Sequence, residues 1–165
     1  MDLKRFWRHI VMTPREARRA FPPAALEAIR SAIATREKHH RGEVRFAVEA
    51  ELTTARLWLG VGSRARAIQV FSQLGVGRTA ERTGVLVYVL LADHRVEIVA
   101  DQAIAAKVAQ AEWQAVCAAM QEAFRAGRFE EGSVAGVEAV SALLERHFPA
   151  GDENRNELPD QPVLL

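Results

Sequence analysis

The chain has 165 residues and a single cysteine, Cys117. No disulfide can form within it and no cysteine-based zinc site can be built, a pattern that fits a reducing compartment. With no histidine or other base on its helix face, Cys117 reads as a small buried residue rather than a nucleophile. The longest apolar run, residues 84–92, falls well short of the roughly 20 residues a membrane-spanning helix needs. Near the N-terminus, Lys4, Arg5, Arg8 and His9 interrupt the place where a secretory h-region would sit. A cytoplasmic location is the expectation from these two absences. G-x-S-x-G, H-E-x-x-H and a Walker lysine are also missing, and His39, His40, His94 and His147 show no metal-type spacing, so the familiar hydrolase chemistries have no support.

What is present is uneven charge. Residues 1–41 hold ten Lys/Arg against four Asp/Glu, and the remainder holds twelve against seventeen, so a basic arm precedes an acidic body. The first twelve residues place Leu3, Phe6, Trp7, Ile10 and Val11 at helical steps between Lys4, Arg5 and Arg8. That amphipathic stripe has two places to go: the protein's own core, or the headgroup region of an anionic membrane, to which the arm would hold the protein peripherally. A nucleic-acid partner is not expected, because the body is net acidic and no recognised module is present.

The rest reads as one α/β domain of a size that buries a core unaided. Thr13-Pro14 is a helix start, and Pro22-Pro23 begins another helix with Leu26, Ile29 and Ile33 on one side. From Glu43 to Glu51 apolar and charged residues alternate, the pattern of a half-buried strand with Glu43, Arg45 and Glu49 facing water. Ser63 is a candidate cap for a helix that Gly75 stops, and residues 76–84 read as a loop. Val85–Leu91 is continuously apolar, as in a central strand. Asp93-His94 turns it back into Arg95–Ala100 as an antiparallel hairpin. Two helical stripes follow, broken at Gly127. The expected fold is a three-layer α/β/α sandwich around a mixed sheet containing that hairpin. Its organisation is an amphipathic arm over residues 1–13, the domain over 14–149 and an extended tail over 150–165.

Two local patterns carry possible chemistry. Gly60-Val61-Gly62-Ser63-Arg64-Ala65 matches G-x-G-x-x-A before a helix, but no buried strand precedes it in a βαβ unit, and an ordinary helix start is the simpler reading. Glu81 before the central strand and Asp101 after its partner fall at the same edge of an antiparallel pair. Their oxygens suit Ca²⁺ or Mg²⁺, which polarise phosphate. The alternative for Asp101 is a helix N-cap.

From residue 43 to 149 the order of features resembles the bacterial TPM-domain family, related to thylakoid-lumen proteins of photosystem II repair described as acid phosphatases. The resemblance is carried by Gly42-Glu43-Val44, Ser63-Arg64-Ala65-Arg66-Ala67, the run from Gly84 to Asp93, and Val96-Glu97-Ile98-Val99-Ala100-Asp101. Trp113, Phe124-Arg125-Ala126-Gly127, His147-Phe148-Pro149 and the tail Asn156-Glu157-Leu158-Pro159-Asp160 continue it. It implies an α/β/α sandwich with a Ca²⁺ site and phosphatase activity at one loop end. Asp101 and Glu81 would then be the catalytic and metal-binding carboxylates, with Arg82 or Arg64 meeting phosphate through a planar fork. Arg82-Thr83 stands where relatives carry acidic or Asn residues, which removes oxygen donors. Two functions stay open: a weak metal-assisted phosphatase, and a non-enzymatic accessory module on a membrane surface or a membrane-protein partner.

Overall fold

Residues 84–90 are apolar without a break, so both faces of that strand must be covered, and the chain covers them with helices from both sides. The structure is a computed structural model; it describes residues 3–151 and 156–165, so the start of the expected arm and part of the expected tail lie outside the described residues. Eight α-helices are described: α1 (Leu3–Val11), α2 (Pro14–Ala20), α3 (Pro23–Arg36), α4 (Thr54–Trp58), α5 (Ser63–Gln73), α6 (Gln102–Ala105), α7 (Gln110–Arg125) and α8 (Phe129–His147). Four strands, β1 (Glu43–Glu49), β2 (Gly84–Leu90), β3 (Arg95–Ala100) and β4 (Val163–Leu164), form one sheet in the order β3-β2-β1-β4. β1 runs parallel to β2 and to β4, and β2–β3 is the antiparallel hairpin. This is the mixed three-layer sandwich expected.

Alternation along the strands divides the core. Val44, Phe46, Val48, Val85, Val87, Val89, Val96 and Ile98 face α3, α7 and α8, meeting Ile29, Ile33, Trp113, Met120, Val140 and Leu144. Ala47, Leu86, Tyr88, Leu90 and Val99 face the other way, onto Ala67 and Val70 of α5. Gly84 permits the start of β2: a Cβ there would lie 2.0 Å from the Val76 carbonyl oxygen, a contact that no side chain relieves.

Three expectations change. β1 is not half-buried, because all seven of its residues are enclosed. Its charged face is covered by α5 and by the returning tail, and each charge has found a partner. Arg66 of α5 donates to both oxygens of Glu49 at 2.8–3.1 Å, while the Tyr88 hydroxyl donates to the same carboxylate at 2.5 Å. Arg45 donates to the carbonyls of Pro159 and Gln161, and Glu43 accepts from the Leu158 amide. The tail's last residues therefore form a strand, β4, whose neighbour Leu165 donates to the Val48 carbonyl at 2.8 Å. Ser63 is not the cap of α5. Gly62 takes that position and the Ser63 hydroxyl donates to Glu97. Residues 76–78 are a single 3-10 turn.

Glu37 follows α3, is 7% exposed, and accepts the Val44 amide at 2.7 Å. Burial pushes its carboxyl up to about 9. The unfolded carboxyl ionises near pH 4 while the folded one holds its proton, so the stabilising contribution is full below about pH 4 and is lost as pH rises toward 9. Glu37→Gln keeps an acceptor for Val44 and cannot ionise. We expect urea midpoints of the native chain to fall between about pH 5 and 9, at up to about 1.4 kcal/mol per pH unit from this group. The Gln variant should fall less; parallel curves would show that Glu37 does not titrate this way.

Candidate functional site

The hairpin has two ends, and both gather polar groups. At the end where β2 starts and β3 stops, the Asp101 amide donates to the Gly84 carbonyl at 2.9 Å. Asp101 is 7% exposed. One carboxylate oxygen accepts the Gln102 amide at 2.7 Å and caps α6, and the other is buried with no hydrogen-bond partner. A Cβ on Gly77 would lie 3.6 Å from that second oxygen, so the 3-10 turn lies close against it.

The other sequence-derived residues do not join Asp101. Glu81 is exposed and pairs with Arg41 at 2.8 Å. Arg82 is exposed in the same loop, at φ +57°, a left-handed conformation that Asn adopts more readily than Arg. Arg64 lies on α5 and donates to the Ile98 carbonyl, with Glu97 at 3.9 Å, about 10 Å along β3 from Asp101. Among the described residues no hydrogen bond or ion pair links any two of these four, and no three His, Cys, Asp or Glu side chains converge on a common point. One buried carboxylate oxygen is fewer than the donors that Ca²⁺ gathers, and no catalytic step through an ion follows from this donor set.

The opposite end, around the β2–β3 turn, holds a site the sequence did not disclose. His94 turns the chain at φ +52°, and Asp93 beside it receives α1. Arg5 donates to both oxygens of Asp93 at 2.8–3.0 Å and to the Val61 carbonyl at 2.8 Å. His9, 2% exposed, touches Asp93 at 3.0 Å through Nε2, while its Nδ1 accepts the Leu52 amide at 2.9 Å. That second bond fixes the tautomer: the proton is on Nε2, which donates to Asp93. Burial raises the Asp93 carboxyl, but the hydrogen bonds from Arg5 and His9, together with the charge of Arg5, outweigh it, and the group is held below its ordinary value.

The consequence is an inverted helix. Of the α1 apolar residues, only Phe6 packs against a core cluster. Leu3, Trp7, Ile10 and Val11 are 51–63% exposed. Turning α1 over would bury that stripe at about 1.5–3 kcal/mol for each large side chain. It would also leave the nearly buried Asp93 carboxylate unpaired, at several kcal/mol. Trp58 and Leu59, exposed at 68% and 81%, sit in the segment that α1 holds at both ends through Leu52 and Val61. Sequence set Arg5 and Arg8 among the cations of an amphipathic stripe and read Asp93 as a turn residue; only the i,i+4 spacing of Arg5 and His9 hinted at a common partner.

The comparisons agree with this fold. A family model described as the TPM domain matches residues 17–143, from α2 into α8. A solved relative is the BA42 protein of the psychrophilic bacterium Bizionia argentinensis, an NMR structure at 30% identity and TM-score 0.72, covering 86% of this chain and 93% of that one. No curated protein matches. The chain belongs to the TPM-domain family. α1 and β4 both lie outside the matched residues.

Asp93→Ala tests the clamp. Hydrogen bonds to a charged partner contribute about 1.5–3 kcal/mol, so the variant should speed amide exchange across residues 3–11 by a corresponding factor and leave β2 unchanged. Because Asp93 is held below its ordinary value, the native clamp is complete above about pH 4 and weakens as pH falls further. Unchanged exchange in α1 would mean that Asp93 does not hold it.

Proposed function

We propose that this protein is a non-enzymatic accessory TPM-domain module that attaches to an anionic membrane surface through α1. The observation that supports this reading is the inverted helix: its hydrogen-bonding residues face the body while Leu3, Trp7, Ile10 and Val11 face solvent. A cluster of exposed large apolar side chains marks an interaction surface. Tryptophan favours the membrane–water boundary, and exposed Lys4, Arg8, Arg15 and Arg18 supply attraction to anionic headgroups. Among the described residues no helix is long and apolar enough to cross a membrane, so attachment in this reading is peripheral.

Vesicle sedimentation tests it. The native chain should pellet with phosphatidylglycerol vesicles and release at high salt, and the double variant Trp7→Ser/Ile10→Ser should bind at least about tenfold more weakly through lost apolar burial. Equal sedimentation of the two proteins would remove the role of α1.

A second reading, weak metal-assisted phosphatase activity, is favoured by one observation: the buried, unpartnered oxygen of Asp101. Ca²⁺ or Mg²⁺ would take that oxygen with loop carbonyls, Glu81 would need to leave Arg41, and Arg82 or Arg64 would meet phosphate. Calcium titration followed by amide NMR should then shift residues 77–84 and 101–103, with Asp101→Asn abolishing both the shifts and any phosphatase activity. Full activity in Asp101→Asn would end this reading.

A further inference from the structure

A cavity of about 570 Å³ opens between α2, the β2–β3 turn and the corner of α7 and α8. Asp101 lies about 20 Å away along β3. The volume is within the roughly 300–1,000 Å³ of small-molecule sites. Its floor is apolar: Met12, Val89, Leu91, Phe124 and Phe129, with the two phenylalanine rings stacked at 5.3 Å and Phe21 packed against both. Its rim is cationic, carrying Arg19, Arg95 and Arg125 with His94 beside them.

The polar groups of the lining narrow the ligand. Glu16, the one carboxylate there, uses one oxygen to accept the Thr13 amide at 2.8 Å in the cap of α2 and makes no ion pair with Arg19 or Arg95 among the described residues. The Gln121 side-chain oxygen accepts the Val96 amide at 3.2 Å. Few side-chain hydrogen-bonding groups remain inside the rim to read a sugar or a base. Arg125 pairs with exposed Glu122 at 2.9 Å, whereas Arg19 and Arg95 are exposed and have no ion pair among the described residues. An apolar floor with unneutralised cations at its mouth complements an alkyl chain that ends in an anion.

We infer that this cavity binds one alkyl chain of an anionic amphiphile, the chain lying over Val89, Leu91 and the Phe124–Phe129 pair and the head at Arg19 and Arg95. The occupant is either a free fatty-acid-like anion or a lipid drawn from a bilayer; the chemistry is shared. The inference does not rest on membrane attachment through α1, because it uses different residues.

Amide NMR of the full chain titrated with decanoate below its micelle concentration tests it. Saturable shifts are expected at residues 91–95 and 121–129, with decanol binding at least tenfold more weakly. Arg19→Glu/Arg95→Glu, two exposed positions, should weaken decanoate at least tenfold without loss of fold. Ala20→Trp, which fills the cavity, should abolish it. Phosphatidylglycerol vesicles containing no free acid form a second arm: shifts at the same residues would assign the occupant to bilayer lipid, and shifts with decanoate alone would assign it to a free anion. Trp7→Ser/Ile10→Ser should keep decanoate binding while losing vesicles, which separates this site from the α1 surface. Equal binding of decanol and decanoate, shifts confined to residues 3–11, or full binding by Ala20→Trp would overturn the inference.

Discussion

The Asp93 carboxylate, almost closed to water at the tip of the β2–β3 turn, accepts hydrogen bonds from Arg5 and His9 together. A buried carboxylate must be paired, because leaving it bare costs more than the clamp's own hydrogen bonds are worth. Such pairing fixes how α1 sits. The helix turns its Arg5 and His9 edge inward, His9 ties it to Leu52, Arg5 ties it to Val61, and the α4 segment between those anchors is drawn beside it. A nine-residue helix is marginal on its own in water, so α1 owes its place to this clamp and its outward apolar stripe follows from it.

The same rule governs the covered face of β1. Glu43, Arg45, Glu49 and Arg66 are charges inside the protein, and each is answered by a partner from a distant part of the chain: α5, Tyr88 of β2, or the tail. Burial pushes the Tyr88 hydroxyl well above its ordinary value, with the Glu49 carboxylate adding to the shift, so that hydroxyl stays a donor. These bonds tie the tail to β1 and make β4 possible. The hairpin's two ends then differ in kind. One presents a lone carboxylate oxygen against a tight turn, and the other presents an apolar cavity ringed by arginine.

Much of the fold was legible in the chain itself. Unbroken apolarity at 84–90 marks a central strand, the dipeptide Asp93-His94 marks the hairpin, and Thr13-Pro14 marks a helix start, because each depends on chemistry local to a few residues. Asp101 as an N-cap belongs with these. β1 was misread for the opposite reason: alternating charge is the mark of a water-facing strand, and nothing within nine residues reveals that Arg66 and the tail will close over it. The candidate site fared similarly. Glu81 and Asp101 do fall at one end of the sheet, but side-chain direction separates them, since Glu81 turns to Arg41.

The sequence by itself determined a layered α/β domain, because periodicity, turns and caps are set by neighbours along the chain, and its motifs carried the resemblance to the TPM family. It also determined that the first helix is amphipathic and basic. Which way that helix faces, which charges are buried, and where a cavity opens were decided only by the tertiary structure. Those outcomes depend on pairings between residues far apart along the chain, from Glu49 with Arg66, 17 positions apart, to Arg5 with Asp93, 88 apart, and Glu43 with Leu158 of the tail, 115 apart.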